Sequence, residues 1–205
     1  DLVNSTLPAP MELEYRDFYP AGIFLEKKAL GGGAKKRYAL LTRNGRLLLR
    51  GLEAIRGDWS KLAKNIQKKV LEYVLSDGNA LRALDYVNLL ISKVKNRNIE
   101  LSDLIIEVRL TRSLNAYTIR GPHIVAAELA AAKGDSVGRG YKVKFIVKTG
   151  SGKISDHVAL PENVKIDEYD VDYYVNNQII RSVIKIFEVF GISEEKLKGG
   201  QTTLS

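Results

Sequence analysis

A change of hydrophobic period near Asp58 constrains the fold more than any other feature of this sequence. Before this point, apolar residues form short runs such as GIFLEK, RYALLT and RLLLRG, which are typical of β-strands. After it, apolar residues recur every three or four positions, which is the period of an amphipathic helix. The chain is therefore predicted to be α+β, with a β-rich first part followed by a mainly helical part that includes a small β-hairpin element.

The β-rich part is predicted to contain a tight hairpin and a loop. Asn44 and Gly45 lie between two apolar runs and are the residue types that a two-residue hairpin turn favours. Segment 29–34 (ALGGGA) is expected to be a flexible loop, because three consecutive glycines resist regular structure. The alternating segment MELEYRDF predicts a further strand.

Helix signals divide the rest of the chain. Asp58 is the expected N-cap of a first helix, and Asp77 with Gly78 is its expected stop. Pro122 and Gly134 bound a short helix, YKVKFIVK predicts a strand, and VDYYVNNQIIRSVIKIFEVFG predicts a long helix. The apolar stripe expected for a second helix is Leu81, Leu84, Val87, Ile91 and Val94.

Composition excludes several classes of protein and favours one kind of partner. Lys and Arg number 32 against 24 Asp and Glu, so the net charge of +8 favours a polyanion. The sequence has no cysteine, which excludes disulfides, zinc ribbons and cysteine nucleophiles. No apolar run reaches the roughly 18 residues of a membrane span, and no signal peptide is present, so a cytoplasmic protein is expected.

No complete catalytic site is predicted. His123 and His157 are 34 positions apart and lack an obvious third metal ligand. Walker, G-x-S-x-G and H-E-x-x-H motifs are absent from the sequence. Glu12, Glu14 and Asp17 could hold a metal, but alternating carboxylates on a strand more often form its solvated face.

Basic residues beside an aromatic residue predict a nucleic-acid contact. Segment 34–38 (AKKRY) places three cations next to Tyr38, a combination that suits phosphates and the sugars of a duplex. A solvated strand end is the alternative. Arg50 and Arg56 are similarly open, either as duplex contacts or as partners in surface ion pairs.

Five longer blocks occur in a fixed order: KKRYAL, RGLEAIRGDWSKLAK, LTRSLNAYTIRGPHIVAAELAAAKG, KTGSGKISD and DVDYYVNNQII. In this order, over almost all of its 205 residues, the sequence resembles archaeal family B (replicative) DNA polymerases. The resemblance implies that residues 1–57 are the C-terminal part of the palm, 58–198 the thumb and 199–205 a flexible tail. It also implies that the thumb grips primer–template duplex behind the active site.

The resemblance implies which residues touch DNA. The family's Lys-x-Tyr motif, its R-G-L/I-E-x-x-R-R-D-W block, its T-R-x-L-x-x-Y and G-P-H segments and its G-S-G-K/R hairpin all have counterparts here. Tyr173, Tyr174 and Gln178 match the closing helix and are interpreted as packing residues. The implied DNA-binding residues are Lys35, Lys36, Tyr38, Arg50, Arg56, Thr111, Arg112, Tyr117, Arg120, His123 and Lys153.

The sequence departs from the family pattern at three places. Gly57 replaces the second Arg of the R-R-D-W block, which removes one phosphate contact. Segment 29–34 is an insertion ahead of Lys35 and Lys36. Arg16 stands where the family often has a third acidic residue, so Glu14 remains as the candidate for an auxiliary metal ligand.

The family's metal-binding Y-x-D-T-D sequence, its fingers helix and its exonuclease carboxylates are missing from this sequence. Two-metal phosphoryl transfer needs such carboxylates. The chain alone is therefore expected to be inactive as a DNA-directed DNA polymerase (a nucleotidyltransferase), with Mg²⁺ bound by the rest of the enzyme. It begins at Asp1 and not at Met, so it is expected to be the remainder of a longer chain or the small subunit of a split polymerase, as in some methanogenic archaea.

The C-terminal residues predict a further partner. Gln201 and Leu204 have the spacing that begins a sliding-clamp-binding motif, Q-x-x-L-x-x-F-F.

The first alternative function is a non-catalytic assembly subunit whose basic surface binds the large polymerase chain and not DNA. The least favoured is an independent nuclease or nucleotidyltransferase that uses Glu12, Glu14 and Asp17.

Overall fold

The structure, a computed structural model, describes residues 5–6, 17–26 and 33–199. Its first part is a three-stranded antiparallel sheet with the strand order β1-β2-β3. The turn at Asn44 and Gly45 joins β2 to β3, with Gly45 at φ +76°, so the predicted hairpin is confirmed. The strands are β1 (Ala21–Glu26), β2 (Gly33–Leu41) and β3 (Leu47–Arg50).

Two expectations for this sheet need correction. β2 begins at Gly33, so the predicted loop does not include Gly33 and Ala34, because Gly33 pairs with Glu26 of β1 beyond a register shift. The strand predicted for MELEYRDF does not extend over Asp17 and Phe18, which are exposed and outside any strand. The rest of that segment, 11–16, lies outside the described residues.

The predicted helices are confirmed, with shifted details. The N-cap of the first helix is Ser60, whose hydroxyl oxygen accepts the Ala63 N–H at 3.2 Å, and not Asp58. In the second helix Leu81 is exposed and Ala83 is buried in its place. The helices are α1 (Lys61–Ser76), α2 (Ala80–Lys95), α3 (Leu101–Leu104), α4 (Pro122–Ala132), a π-helical segment (Tyr173–Ile180) that continues into α5 (Arg181–Glu188), and α6 (Glu194–Gly199).

A second antiparallel sheet has the order β4-β5-β6. In β5, Val143, Phe145 and Val147 are buried while Lys142 and Lys144 are exposed, and the predicted strand is confirmed. The short strand β6 was not predicted from the sequence; it pairs with the end of β5 and closes the small hairpin element. The strands are β4 (Ile106–Arg109), β5 (Lys142–Val147) and β6 (Val158–Ala159).

Helix α1 lies at the centre of the packing, in contact with α2, α5, the π-helical segment and the first sheet. Tyr174 is completely buried, donates from its hydroxyl to the Leu104 carbonyl at 2.9 Å and accepts the Val147 N–H at 3.2 Å. Burial raises the pKa of Tyr174. The amide oxygen of Gln178 accepts the Ser60 N–H at 2.8 Å, so the interpretation of these two residues as packing residues is confirmed. None of the described helices combines the length and apolarity that crossing a membrane requires.

Candidate nucleic-acid interface

The outward face of the first sheet brings three of the predicted residues together. Because side chains alternate along a strand, Lys36 and Tyr38 of β2 share one face, and Tyr38 is paired with Arg50 of β3. Lys36, Tyr38 and Arg50 line one open pocket together with Gly51 and Ile55. Within the described ranges neither Lys36 nor Arg50 has an ion-pair partner. We call Lys36, Tyr38 and Arg50 the strand site.

Phe24 extends the strand site across the sheet, although it was not among the predicted residues. It is paired with Tyr38 in the β1–β2 ladder, and the two ring centroids are 5.6 Å apart. Phe24 is 66% exposed, so it adds a flat apolar surface beside Tyr38. The alternation in GIFLE, where Ile23 and Leu25 are buried, is the signal that could have identified it.

Arg37, between Lys36 and Tyr38, points to the opposite face and has a structural role. Its Nη2 lies 2.5 Å from Oε1 of Glu53, a buried carboxylate that is 8% exposed. The other carboxylate oxygen accepts a hydrogen bond from Gln67 of α1 at 2.7 Å, and the Gln67 amide group also donates to the Ser182 carbonyl in α5. We call Arg37, Glu53, Gln67 and Ser182 the Glu53 network.

Two further predicted residues lie on β2 or shortly after β3. Arg56 donates to both carboxylate oxygens of Asp58, at 2.9 and 2.5 Å, and both side chains are exposed. The hydrogen bond from Arg56 to Asp58 raises the pKa of Arg56. The structure therefore places Arg56 in a surface ion pair, which was the alternative reading of this residue. Lys35 belongs to β2, but its side chain is outside the described part of the structure.

Tyr117 braces the segment that carries Arg112. Its hydroxyl oxygen accepts the N–H of Thr111 at 2.9 Å and that of Arg112 at 3.3 Å, and it lies 3.3 Å from the Thr111 hydroxyl. The side-chain hydrogen bond with Thr111 lowers the pKa of Tyr117. The Tyr117 ring meets His123 edge-on at 5.8 Å. Tyr117 thus fixes the backbone at Thr111 and Arg112, while the Arg112 side chain is exposed to solvent.

The start of helix α4 carries the remaining predicted residues of this region. His123 is partly buried at the first turn, and burial lowers its pKa because it disfavours the charged imidazolium. Arg120 donates to Oε2 of Glu128 from two nitrogens, at 2.9 and 2.7 Å. The side-chain hydrogen bond with Glu128 raises the pKa of Arg120. Arg120 is therefore already paired within the chain.

Lys153 lies in the loop between β5 and β6. His157 braces this loop, because its Nε2 donates to the Ser151 carbonyl at 2.5 Å and its ring packs where a side chain on Gly150 would be. Lys153 is exposed and has no ion pair with any residue that the structure describes. The short 3-10 turn that follows it, Ile154–His157, contacts α4. We call Arg112, His123 and Lys153 the α4 site.

Several predicted residues cannot be placed. Glu12 and Glu14, like Gln201 and Leu204, lie outside the described residues. Asp17 is exposed, and its carboxylate accepts the N–H of Phe18 at 2.8 Å. Across ranges 5–6, 17–26 and 33–199, no three His, Cys, Asp or Glu side chains are grouped as metal ligands.

An α+β chain with unpaired cations beside aromatic rings on exposed surfaces is typical of a nucleic-acid-binding protein. The sequence profile of DNA polymerase family B matches residues 1–190. The chain therefore belongs to DNA polymerase family B, and the resemblance stated from the sequence is confirmed.

Individual relatives agree with this family. The chain is 41% identical over 198 residues to a DNA polymerase of Thermococcus aggregans, which covers 96% of this chain and 10% of the relative. It is 38% identical over 206 residues to a DNA polymerase of Methanocaldococcus jannaschii, which covers 100% of this chain and 12% of the relative. The solved structure of the family B DNA polymerase from the hyperthermophilic archaeon Pyrobaculum calidifontis matches with a TM-score of 0.70 and 34% identity, over 93% of this chain and 24% of that one. The chain thus spans about a tenth of these two relatives and about a quarter of that structure.

Proposed function

We propose that this chain is the palm-edge and thumb part of a DNA-directed DNA polymerase, and that it grips primer–template duplex behind the active site. In this proposal residues 1–57 are palm, 58–198 thumb and 199–205 a tail. The observation that carries the proposal is the strand site, where two exposed cations without ion-pair partners in the described structure flank an aromatic ring. The rest of the polymerase, on the same chain or on a large partner subunit, carries the exonuclease, the fingers and the catalytic palm.

The charges of the two sites suit a contact that does not read sequence. Lysine and arginine at phosphates release counterions, which supplies affinity that is independent of base sequence and falls with salt. Tyr38 and Phe24 offer flat surfaces to deoxyribose and to the groove edge, where contacts position the duplex without specifying bases. A polymerase needs this kind of grip, because its template changes at every step.

The metal chemistry belongs to another part of the enzyme. Family B membership implies Mg²⁺, which would stabilise the attacking and leaving oxygens of phosphoryl transfer. The described residues of this chain do not gather the carboxylates that such a site requires. The role that we propose for this chain is therefore to bind and orient the duplex, and the auxiliary metal role of Glu14 stays a prediction from the sequence.

A second candidate function is an assembly subunit whose surface binds the large polymerase chain and not DNA. Ile55 lines the same pocket as Lys36 and is 54% exposed, and Phe24, beside Tyr38, is 66% exposed. Exposed apolar patches on a sheet face often mark protein contacts. Duplex binding measured with and without the large chain separates the two functions. A contribution of this chain's cations to duplex affinity in the assembled enzyme supports the grip; its absence supports the assembly role. The tail residues Gln201 and Leu204 remain a proposed contact for a sliding clamp.

Replacing Lys36 with alanine is expected to weaken primer–template binding by roughly fivefold to tenfold, because one charge-assisted contact to phosphate is lost. The loss should be similar for all duplex sequences, and the slope of log affinity against log salt should fall by about one phosphate contact. The measurement is a salt titration with several duplexes. Lys93→Ala, which removes an exposed lysine on α2, is the matched control and should change neither quantity. Loss for one sequence only would show base readout and contradict the proposal.

Replacing Arg112 with alanine is expected to speed duplex dissociation by about tenfold while leaving the fold intact. The reason is that the backbone at Arg112 is held by Tyr117, whereas its guanidinium has no ion-pair partner among the described residues. Dissociation rates and melting temperatures of the same preparations check this result. Arg82→Ala, which removes a guanidinium that is paired with Asp77, is the control. A parallel loss of melting temperature and duplex affinity would show that Arg112 is structural.

A further inference from the structure

The backbone of Gly51 lies against the Lys36 carbonyl group of the neighbouring strand β2. Gly51 follows the last residue of β3 and has φ +62°, a left-handed conformation that side chains rarely adopt. A Cβ atom on Gly51 would lie well under 3.0 Å from the Lys36 carbonyl oxygen and 3.2 Å from Cγ of Arg37. Any residue other than glycine would therefore be both strained and in collision with the backbone of β2.

Gly45, in the turn of the same hairpin, separates these two effects. It has a similar conformation, with φ +76°, but a Cβ atom there would meet nothing within 4 Å. Glycine at position 45 is thus explained by the turn alone. At position 51 the close approach to Lys36 adds a second requirement.

The backbone at Lys36 is fixed from two directions. Its carbonyl group lies against Gly51, and the next residue, Arg37, is tied to Glu53 at 2.5 Å. Glu53 itself starts the short 3-10 turn that follows Gly51 by one intervening residue. The segment from Gly51 to Glu53 therefore contacts the Lys36 carbonyl and binds the Arg37 side chain. Both contacts constrain the backbone from which the Lys36 side chain leaves the sheet.

We propose that Gly51 is a positioning residue for Lys36, and that its missing side chain lets β3 and the following turn hold Lys36 level with Tyr38 and Arg50. The proposal rests on the duplex contact of Lys36 proposed above. With alanine at position 51, the Lys36 carbonyl and the new methyl group must separate until their contact reaches the ordinary 3.4 Å. That shift moves the Lys36 ammonium away from its phosphate, while Arg112 and Lys153 are unaffected.

The test is a double-mutant cycle in the complete polymerase with a primer–template duplex of mixed sequence. Gly51→Ala should weaken binding by roughly fivefold to tenfold and lower the salt slope by about one contact. In a Lys36→Ala background, Gly51→Ala should have no further effect, because the residue through which it acts is gone. Combined with Arg112→Ala, its effect should be additive. Gly45→Ala carries similar backbone strain without the collision and should bind within about twofold of the unchanged protein.

A second variant guards against a failure to fold. Gly51→Asn adds a Cβ atom, as alanine does, but asparagine tolerates a positive φ better than alanine. This variant should therefore fold better than Gly51→Ala and show the same loss of affinity. An additive effect of Gly51→Ala and Lys36→Ala would overturn the inference and leave the duplex contact of Lys36 standing. Unchanged binding of Lys36→Ala would instead contradict the proposed function, and the inference with it. Joint loss of folding and binding in both Gly51 variants would show that Gly51 is only structural.

Discussion

The 205-residue chain alone is expected to give no primer extension with magnesium and deoxynucleotides, and extension should appear when the rest of the polymerase is supplied. The reason is that two-metal phosphoryl transfer needs a cluster of carboxylates, which the described residues of this chain do not form. A primer-extension assay on the separate and combined components measures this directly. This is the largest effect that we expect, because it is the difference between no activity and activity.

The controls for this assay concern the source of any activity. Replacing the metal-binding carboxylates in the rest of the polymerase with amides should abolish extension by the combined enzyme. Lys36→Ala in this chain should reduce extension most at high salt, where duplex binding is weakest. Extension by the isolated chain, free of other polymerase components, would contradict the proposed division of labour.

Glu53→Ala is expected to lower the free energy of unfolding by about 2–4 kcal/mol, because the half-buried Arg37 guanidinium loses its ion-pair partner and the buried Gln67 amide loses one of its two acceptors. For a domain of this size the melting temperature should fall by roughly 5–15 °C. Glu53 is 8% exposed, and its carboxylate binds both Arg37 and the Gln67 side chain, so alanine at position 53 deletes a contact to each of them. Thermal and denaturant unfolding of the variant provide the measurement.

Two comparisons make the Glu53 result specific. Glu72→Ala removes a carboxylate that is paired with Lys69 on the surface of α1, and it should leave the melting temperature nearly unchanged. Arg37→Met combined with Glu53→Ala should lose less stability than the sum of the single variants, because no half-buried guanidinium is then left without its ion-pair partner. Equal losses for Glu53→Ala and Glu72→Ala would show that the Glu53 network contributes no more than a surface ion pair.

The Glu53 network also has a consequence for duplex binding. It links β2, the turn after β3, helix α1 and helix α5 through Arg37, Glu53, Gln67 and the Ser182 carbonyl. The sheet that carries the strand site is thereby fixed to the helices of the proposed thumb. Variants of this network are expected to weaken duplex binding even though none of these side chains belongs to the strand site or the α4 site.

Local sequence patterns determined the elements of this fold and much of the candidate site. The change of period near Asp58 separates the first sheet from the helices, and Gly45 and Pro122 mark a hairpin turn and a helix start where the structure has them. These features are predictable because each depends on the conformational preference of a few adjacent residues. The family motifs likewise identified Lys36 and Tyr38, which do share an exposed face.

Contacts between distant residues decided the rest. Lys36 and Arg37 have the same charge in the sequence, but only the fold brings Glu53 under Arg37 and leaves Lys36 outside. Ser60 and not Asp58 caps the first helix, and the Ser60 N–H is bound by the side chain of Gln178, 118 positions away.

The roles of Tyr117 and Gly51 were also hidden in the sequence. A motif shows that a tyrosine or a glycine is present, but not which backbone group lies against it. The Tyr117 hydroxyl group accepts hydrogen bonds from the Thr111 and Arg112 N–H groups, and Gly51 leaves space for the Lys36 carbonyl. Periodicity and propensity act over a few neighbouring residues, whereas the direction and partner of each side chain depend on packing between segments that are far apart in the chain.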